Sequence, residues 1–215
     1  DGCRCTGSRR GFQWCSLSRT HVRSVRATCG TARYCDHNRV FREGETAALT
    51  CSQSYEGGRY RTPPERVLRA FGRVYAGWAY SQTFFRHELW RNPGFNSIEE
   101  LLDFWEKDHL GQDANDLLTV LDTWQKGDIS DNPIFGRDYE AALSAIVMHT
   151  RMMPSTTDLY FTEDDAREDG SRMPGATVEP LKSDWGHIAG GAGRESASHD
   201  RVLAAARALL SGEAS

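Results

Sequence analysis

VMHTRMMPSTTDLYF (147–161) and KSDWGH (182–187) are the two segments whose reading decides the fold. The first is a largely apolar run closed by Pro154, with Asp158 just beyond it, as a carboxylate at the C-terminal end of a buried strand stands. The second carries His187 in a Trp-Gly-His turn. Between them, residues 164–170 predict a short helix and residues 176–181 a short strand. One αβ step between a strand-end acid and a loop histidine is how α/β enzymes bring these groups together. Asp158 and His187 therefore read as the orienting acid and the general base of a nucleophilic triad.

Further downstream, residues 189–197 are a Gly/Ser-rich loop, and DRVLAAARALL (200–210) predicts a terminal helix. Upstream, residues 138–146 predict another. From 41 to 137 the pattern is a run of helices. Pro63-Pro64-Glu65 opens one, interrupted at Gly77-Trp78, and residues 81–90 continue as a second. Ser97 and Glu100 form a capping box that starts a helix at 98, and residues 113–126 repeat the amphipathic pattern before Gly127. The start of the chain is harder to read. Residues 11–17 fit part of a helix, and VRSVRATC (22–29) is strand-like but carries two arginines. Two strands alone do not make a stable α/β sheet, so either the sheet extends into residues 1–40 and into a segment upstream, or the chain is not an independent domain.

The composition fits this picture. With 215 residues, 39% hydrophobic and 26% charged, the chain can bury one core, or one core plus an insertion. No stretch approaches a membrane span and no signal-peptide pattern opens the chain, so the expectation is a cytoplasmic protein with no membrane partner. The chain begins at Asp1 without methionine and reads as a piece of a longer one. Its net charge of −4 is uneven, since residues 1–42 hold nine arginines against Asp1 and Asp36. Those arginines are scattered and accompany no recognition motif, which argues against a nucleic-acid partner. The six cysteines (3, 5, 15, 29, 35, 51) lack paired C-x-x-C spacing and read as reduced thiols, with no metal site expected.

Several segments resemble the homoserine O-acetyltransferase family of acyltransferases. They are CGTAR (29–33), HNRVFREG (37–44), PPERVLRAFGRVYAGWAYSQ (63–82), DANDLL (113–118), TWQKGDI (123–129), TDLYF (157–161) and WGH (185–187). The resemblance covers roughly residues 29–210. It implies a partial α/β-hydrolase fold lacking the N-terminal part of its sheet, in three parts. Residues 1–41 would hold the nucleophile elbow and the following strand, 42–137 a helical lid, and 138–215 the C-terminal core with acid and histidine.

Asp158 and His187 match the family's acid and base, and the elbow serine falls on Cys5, within Cys3-Arg4-Cys5-Thr6-Gly7. Gly7 keeps the second glycine of G-x-S-x-G, while Cys3 replaces the first and Cys5 the serine. The departure leaves open a thiol nucleophile, a degenerate site, a misaligned elbow, or a segment out of frame with its gene. The implied chemistry passes an acyl group from acetyl-CoA, a co-substrate rather than a bound cofactor, to a hydroxyl acceptor or to water. The backbone N–H of Thr6 would supply one oxyanion donor. The implied partner is a small-molecule substrate, with a homodimer formed through the helical lid. A related esterase, or an inactive fragment of such an enzyme, is the alternative.

Overall fold

The computed structural model describes residues 4–18, 20–191 and 195–211, with the side chains of 4–6 excepted. In chain order its elements are α1 (Arg4–Leu17), β1 (Ser24–Thr28), α2 (Asp36–Thr50), β2 (Tyr55–Glu56), β3 (Arg59–Tyr60), α3 (Glu65–Ala79), α4 (Gln82–Arg86), α5 (Ile98–Leu110), α6 (Ala114–Gln125), α7 (Tyr139–Ser144), β4 (His149–Met153), α8 (Glu163–Ser171), β5 (Ala176–Val178) and α9 (Ser196–Ser211). The chain divides into two compact units, residues 1–33 with 127–215, and residues 34–126.

The first unit is built on a parallel sheet in the order β1-β4-β5. The strand-like segment at 22–29 supplies the third strand that the sheet needed. Its Arg26 is accommodated because the pleat alternates faces. Val25 and Ala27 join Phe12 and Cys15 of α1 in the main core, while the Arg26 guanidinium reaches to the Val202 carbonyl of α9. The same alternation splits β4. Met152 packs in the core with Ala166 of α8, and Met153 packs with Leu181 and Ala205 of α9. Helices therefore cover both faces, as in an α/β sandwich.

Helix α1 is longer than residues 11–17 suggested, because its buried stripe is partly polar. Ser8, Phe12 and Cys15 lie at i, i+4 and i+7, and Ser8 Oγ donates to Thr28 O (3.3 Å) and accepts from Thr28 N (3.2 Å). A serine facing the sheet gives no hydrophobic signal, yet its hydroxyl satisfies backbone groups at the end of β1. Gly11 allows the close packing, since a Cβ there would meet Val25 Cγ2 at 3.0 Å.

The chain leaves the first unit after Arg33 and returns at Gly127. A β-bridge joins Arg33 to Asp128, and Ile129 N donates to Ala32 O (3.3 Å). Loop 30–33 is also held from below. Tyr139 Oη donates to Asp169 Oδ1 (2.8 Å), Thr31 Oγ1 lies 3.4 Å from Asp169 Oδ2, and the Arg33 guanidinium sits 3.8 Å from the Tyr139 ring centroid.

Burial pushes the Asp169 carboxyl from an ordinary 3.8 up to about 6, with the Tyr139 hydrogen bond opposing the rise. A folded-state value above the unfolded one means that this group's contribution is fully present below about pH 4 and is lost as the pH rises through about 6. We expect the stability of Asp169→Asn relative to the parent to improve between about pH 4 and pH 7. The change should be on the order of 3 kcal/mol, read from urea unfolding at the two pH values. A constant difference would show that Asp169 is not titrating in that window.

The second unit is helical apart from the β2-β3 hairpin. Its core joins Leu49 of α2, Tyr60, Val67, Leu68 and Phe71 of α3, and Ala114 and Leu121 of α6. Helix α2 hides its buried face from a hydrophobic reading, because Asn38, Arg42 and Glu45 are buried along with Leu49. The Arg42 guanidinium lies over the Tyr34 ring at 4.2 Å.

Helix α3 runs through Gly77-Trp78 to Ala79, where the sequence suggested a break. The buried Ala76 and Ala79 hold its last turn against the roughly 1 kcal/mol that an interior glycine costs. The helix predicted over 81–90 is divided into α4 and a 3-10 turn, Leu89–Arg91, because Glu88 takes the left-handed conformation (φ +51°). The cap expected at 97 is made, and a second forms at 113. Ser97 accepts from Glu100 N, and Asp113 accepts from Asn115 N and Asp116 N. Among the described residues, no helix is long and apolar enough to cross a membrane.

Candidate active site

Asp158 stands five residues beyond the end of β4, on a loop tied to the segment that follows β5. Leu181 N donates to Pro154 O (2.7 Å), and Thr156 N donates to Leu181 O (3.0 Å). Two threonines complete the splint. Thr157 Oγ1 donates to Ser183 O (2.8 Å) and accepts from Gly186 N (3.1 Å), while Thr156 Oγ1 accepts from Ser183 N (3.3 Å). Gly186 has φ +63°, a conformation that turns the chain and that glycine adopts without Cβ strain. His187 follows at once, in a 3-10 turn over Gly186–Gly190.

The two predicted residues meet directly. His187 Nδ1 lies 2.8 Å from Asp158 Oδ2, and the Asp158 side chain is fully buried while that of His187 is 12% exposed. The other carboxylate oxygen, Oδ1, accepts from Tyr160 N (2.8 Å) and Phe161 N (3.2 Å). The carboxylate is thus fixed by backbone donors on one side and offers a single oxygen to the imidazole. A proton held on Nδ1 leaves Nε2 as a base. The rings of Tyr160 and Phe161 stand edge-on to His187, with centroids 4.9 and 5.5 Å away, and give the pair an apolar wall.

The sequence placed Cys5 and Thr6 at the nucleophile and oxyanion positions. Both fall in the first turn of α1, and their side chains lie outside the described residues. What the sequence did not group with the pair is Cys29. Its sulfur, the Asp158 carboxylate and the His187 imidazole offer donor atoms all within 4.8 Å of one another. Cys29 follows β1 directly in a left-handed conformation (φ +45°), and its amide donates to Met153 O (3.1 Å). Gly190 makes room for it, since a Cβ there would lie 2.6 Å from the sulfur. CGTAR was visible in the sequence, but a positive φ at a cysteine leaves no compositional trace.

No family model matches the chain. Over 185 residues it is 30% identical to the ethyl acetate hydrolase of Pseudomonas veronii, covering 85% of this chain and 52% of that protein. The solved structure of the acetyl esterase MekB superposes with a TM-score of 0.90 at 29% identity, covering 95% of this chain and 59% of that one. This chain has a partial α/β-hydrolase fold. A homoserine O-acetyltransferase of Chloroherpeton thalassium is 24% identical over 187 residues, covering 84% of this chain and 49% of that protein. The likeness therefore runs more strongly to esterases than to the transferase that the sequence motifs suggested. The chain spans about half the length of the curated relatives it matches.

Proposed function

We propose that the chain is the acid- and histidine-bearing portion of a carboxylester hydrolase that cleaves short acyl esters of the acetate type. The observation that carries this reading is the buried Asp158–His187 pair, bonded at 2.8 Å at the C-terminal edge of a parallel sheet. The named activities of the ethyl acetate hydrolase and of the acetyl esterase MekB suggest the ester class. His187 takes the proton of the nucleophile as it attacks the ester carbonyl and returns it to the leaving alcohol. It then activates the water that releases the acid. Asp158 holds the imidazole in the required tautomer and stabilises the imidazolium.

Cys5 is the proposed nucleophile. In its support, the Ser8–Thr28 hydrogen bonds lay the first turns of α1 beside the end of β1, next to Cys29 and hence near the pair. Cys5 lies in the first turn of the 14-residue α1, and the Thr6 N–H is one of the amides at that helix start that an oxyanion can use. Hydrolysis passes the acyl group to water and uses no acetyl-CoA. The transferase reading keeps the same residues and differs in its donor and acceptor.

The test is incubation with p-nitrophenyl acetate, with nitrophenol release followed in solution and peptide mass spectrometry of the quenched protein. Acetylated Cys5, with turnover in water, is the expected outcome. A folded chain that neither turns over the ester nor carries an acetyl group on Cys5 overturns the proposal. Acetylation from acetyl-CoA with no ester turnover points to the transferase.

A further inference from the structure

We propose that Cys29, Asp158 and His187 form a site for a thiophilic divalent cation of the zinc class, which locks the acid–base pair. The three side chains supply one sulfur, one nitrogen and one oxygen donor, a set that zinc and cadmium accept readily. Their donor atoms lie within 4.8 Å of one another. A tetrahedral ion with bonds of about 2.0–2.3 Å asks for donors roughly 3.5 Å apart, so small side-chain adjustments close the site.

Charge also balances. Binding breaks the Cys29 S–H bond, releases that proton to solvent and forms the metal–sulfur bond. The thiolate and the Asp158 carboxylate then offset the two positive charges of the ion, while His187 binds as the neutral imidazole through one ring nitrogen, its proton carried on the other. Cys29 and Asp158 are buried, at 3% and 5% exposure, so a neutral assembly suits the surroundings better than any isolated charge.

The donors come from three separate loops, which follow β1 and β4 and precede α9, and the sheet order brings these loops together. Cys29 is turned toward the pair by a left-handed backbone (φ +45°), a conformation that a non-glycine residue seldom adopts. Three protein donors leave a fourth position for water. An ion so placed removes both Asp158 and His187 from proton transfer, and this binding does not depend on whether the chain hydrolyses esters.

The experiment is a cadmium titration of the full chain, following the ultraviolet thiolate-to-cadmium charge-transfer band, alongside Cys29→Ser and His187→Ala. Circular dichroism confirms that each variant is folded. One tight equivalent is expected in the parent, with affinity lower by about tenfold or more in each variant. In the unaltered chain, the cadmium-113 NMR shift should report a single sulfur with nitrogen and oxygen donors. This readout needs no variant to fold. Undiminished binding in Cys29→Ser or in His187→Ala, or a cadmium resonance of a multi-thiolate site, places the ion on other cysteines and overturns the proposal.

Discussion

His187→Ala is expected to lower the turnover of p-nitrophenyl acetate by about 10³-fold or more while leaving the chain folded, since a positioned general base contributes about 10²–10⁴. The His187 Nδ1–H donates to Asp158 Oδ2, and the loop that carries it is held through its backbone, Gly186 N donating to Thr157 Oγ1 and Ser183 N to Thr156 Oγ1. Asp158→Asn separates tautomer control from packing. The amide oxygen can still accept from Tyr160 N and Phe161 N, while its NH2 group faces Nδ1 and forces the proton onto Nε2. A loss of about 10⁴-fold in kcat with little change in KM is the expected outcome, by analogy with the wrong-tautomer effect in serine proteases. Steady-state kinetics on the two variants checks this. Undiminished rates in both would remove the pair from the chemistry.

Gly72→Ala is expected to destabilise the helical unit by about 3 kcal/mol, at the upper end of overpacking costs. A Cβ at position 72 would lie 2.5 Å from Trp105 O and 2.9 Å from Trp105 C, so α3 and α5 meet there backbone to backbone. The helices cannot simply separate. Arg73 pairs with Glu99 (2.5 Å) and with Glu106, and Arg69 pairs with Glu106 (3.1 Å), while Tyr75 packs on the Trp105 ring at 5.3 Å. Gly77 of the same helix is the control, because a Cβ there meets nothing within 4 Å. Gly77→Ala should stabilise by roughly 0.5–1 kcal/mol through helix propensity alone. Opposite shifts in the thermal midpoint are the expected result, and shifts of the same sign would mean that the α3–α5 contact is looser than its geometry.

Local chemistry explains what could be read in the sequence. The capping residue at 97 acts on an amide three positions away, so the chain itself announces that helix start. The meeting of Asp158 and His187 was legible for a related reason. A carboxylate just past a short apolar run and a histidine one αβ step later imply two loops at the same edge of a parallel sheet. The structure adds the 2.8 Å bond between them. Where polar residues occupy buried faces, the reading failed. The Ser8–Phe12–Cys15 stripe of α1 and the Asn38–Arg42–Glu45 face of α2 carry little hydrophobic periodicity. Their burial rests on partners far along the chain or on aromatic faces.

By itself, then, the sequence determined the α/β alternation, most helix starts and the juxtaposition of Asp158 and His187, because each depends on spacing within one or two elements. Tertiary structure alone decided that β1 lies beside β4, and that Cys29 thereby stands within reach of Asp158 and His187. Parallel strands pair through crossovers of many residues, and here the crossover from β1 to β4 contains the whole helical unit. No local signal spans that distance. Only the packing of the sheet could put a thiol from residue 29 against a histidine at residue 187.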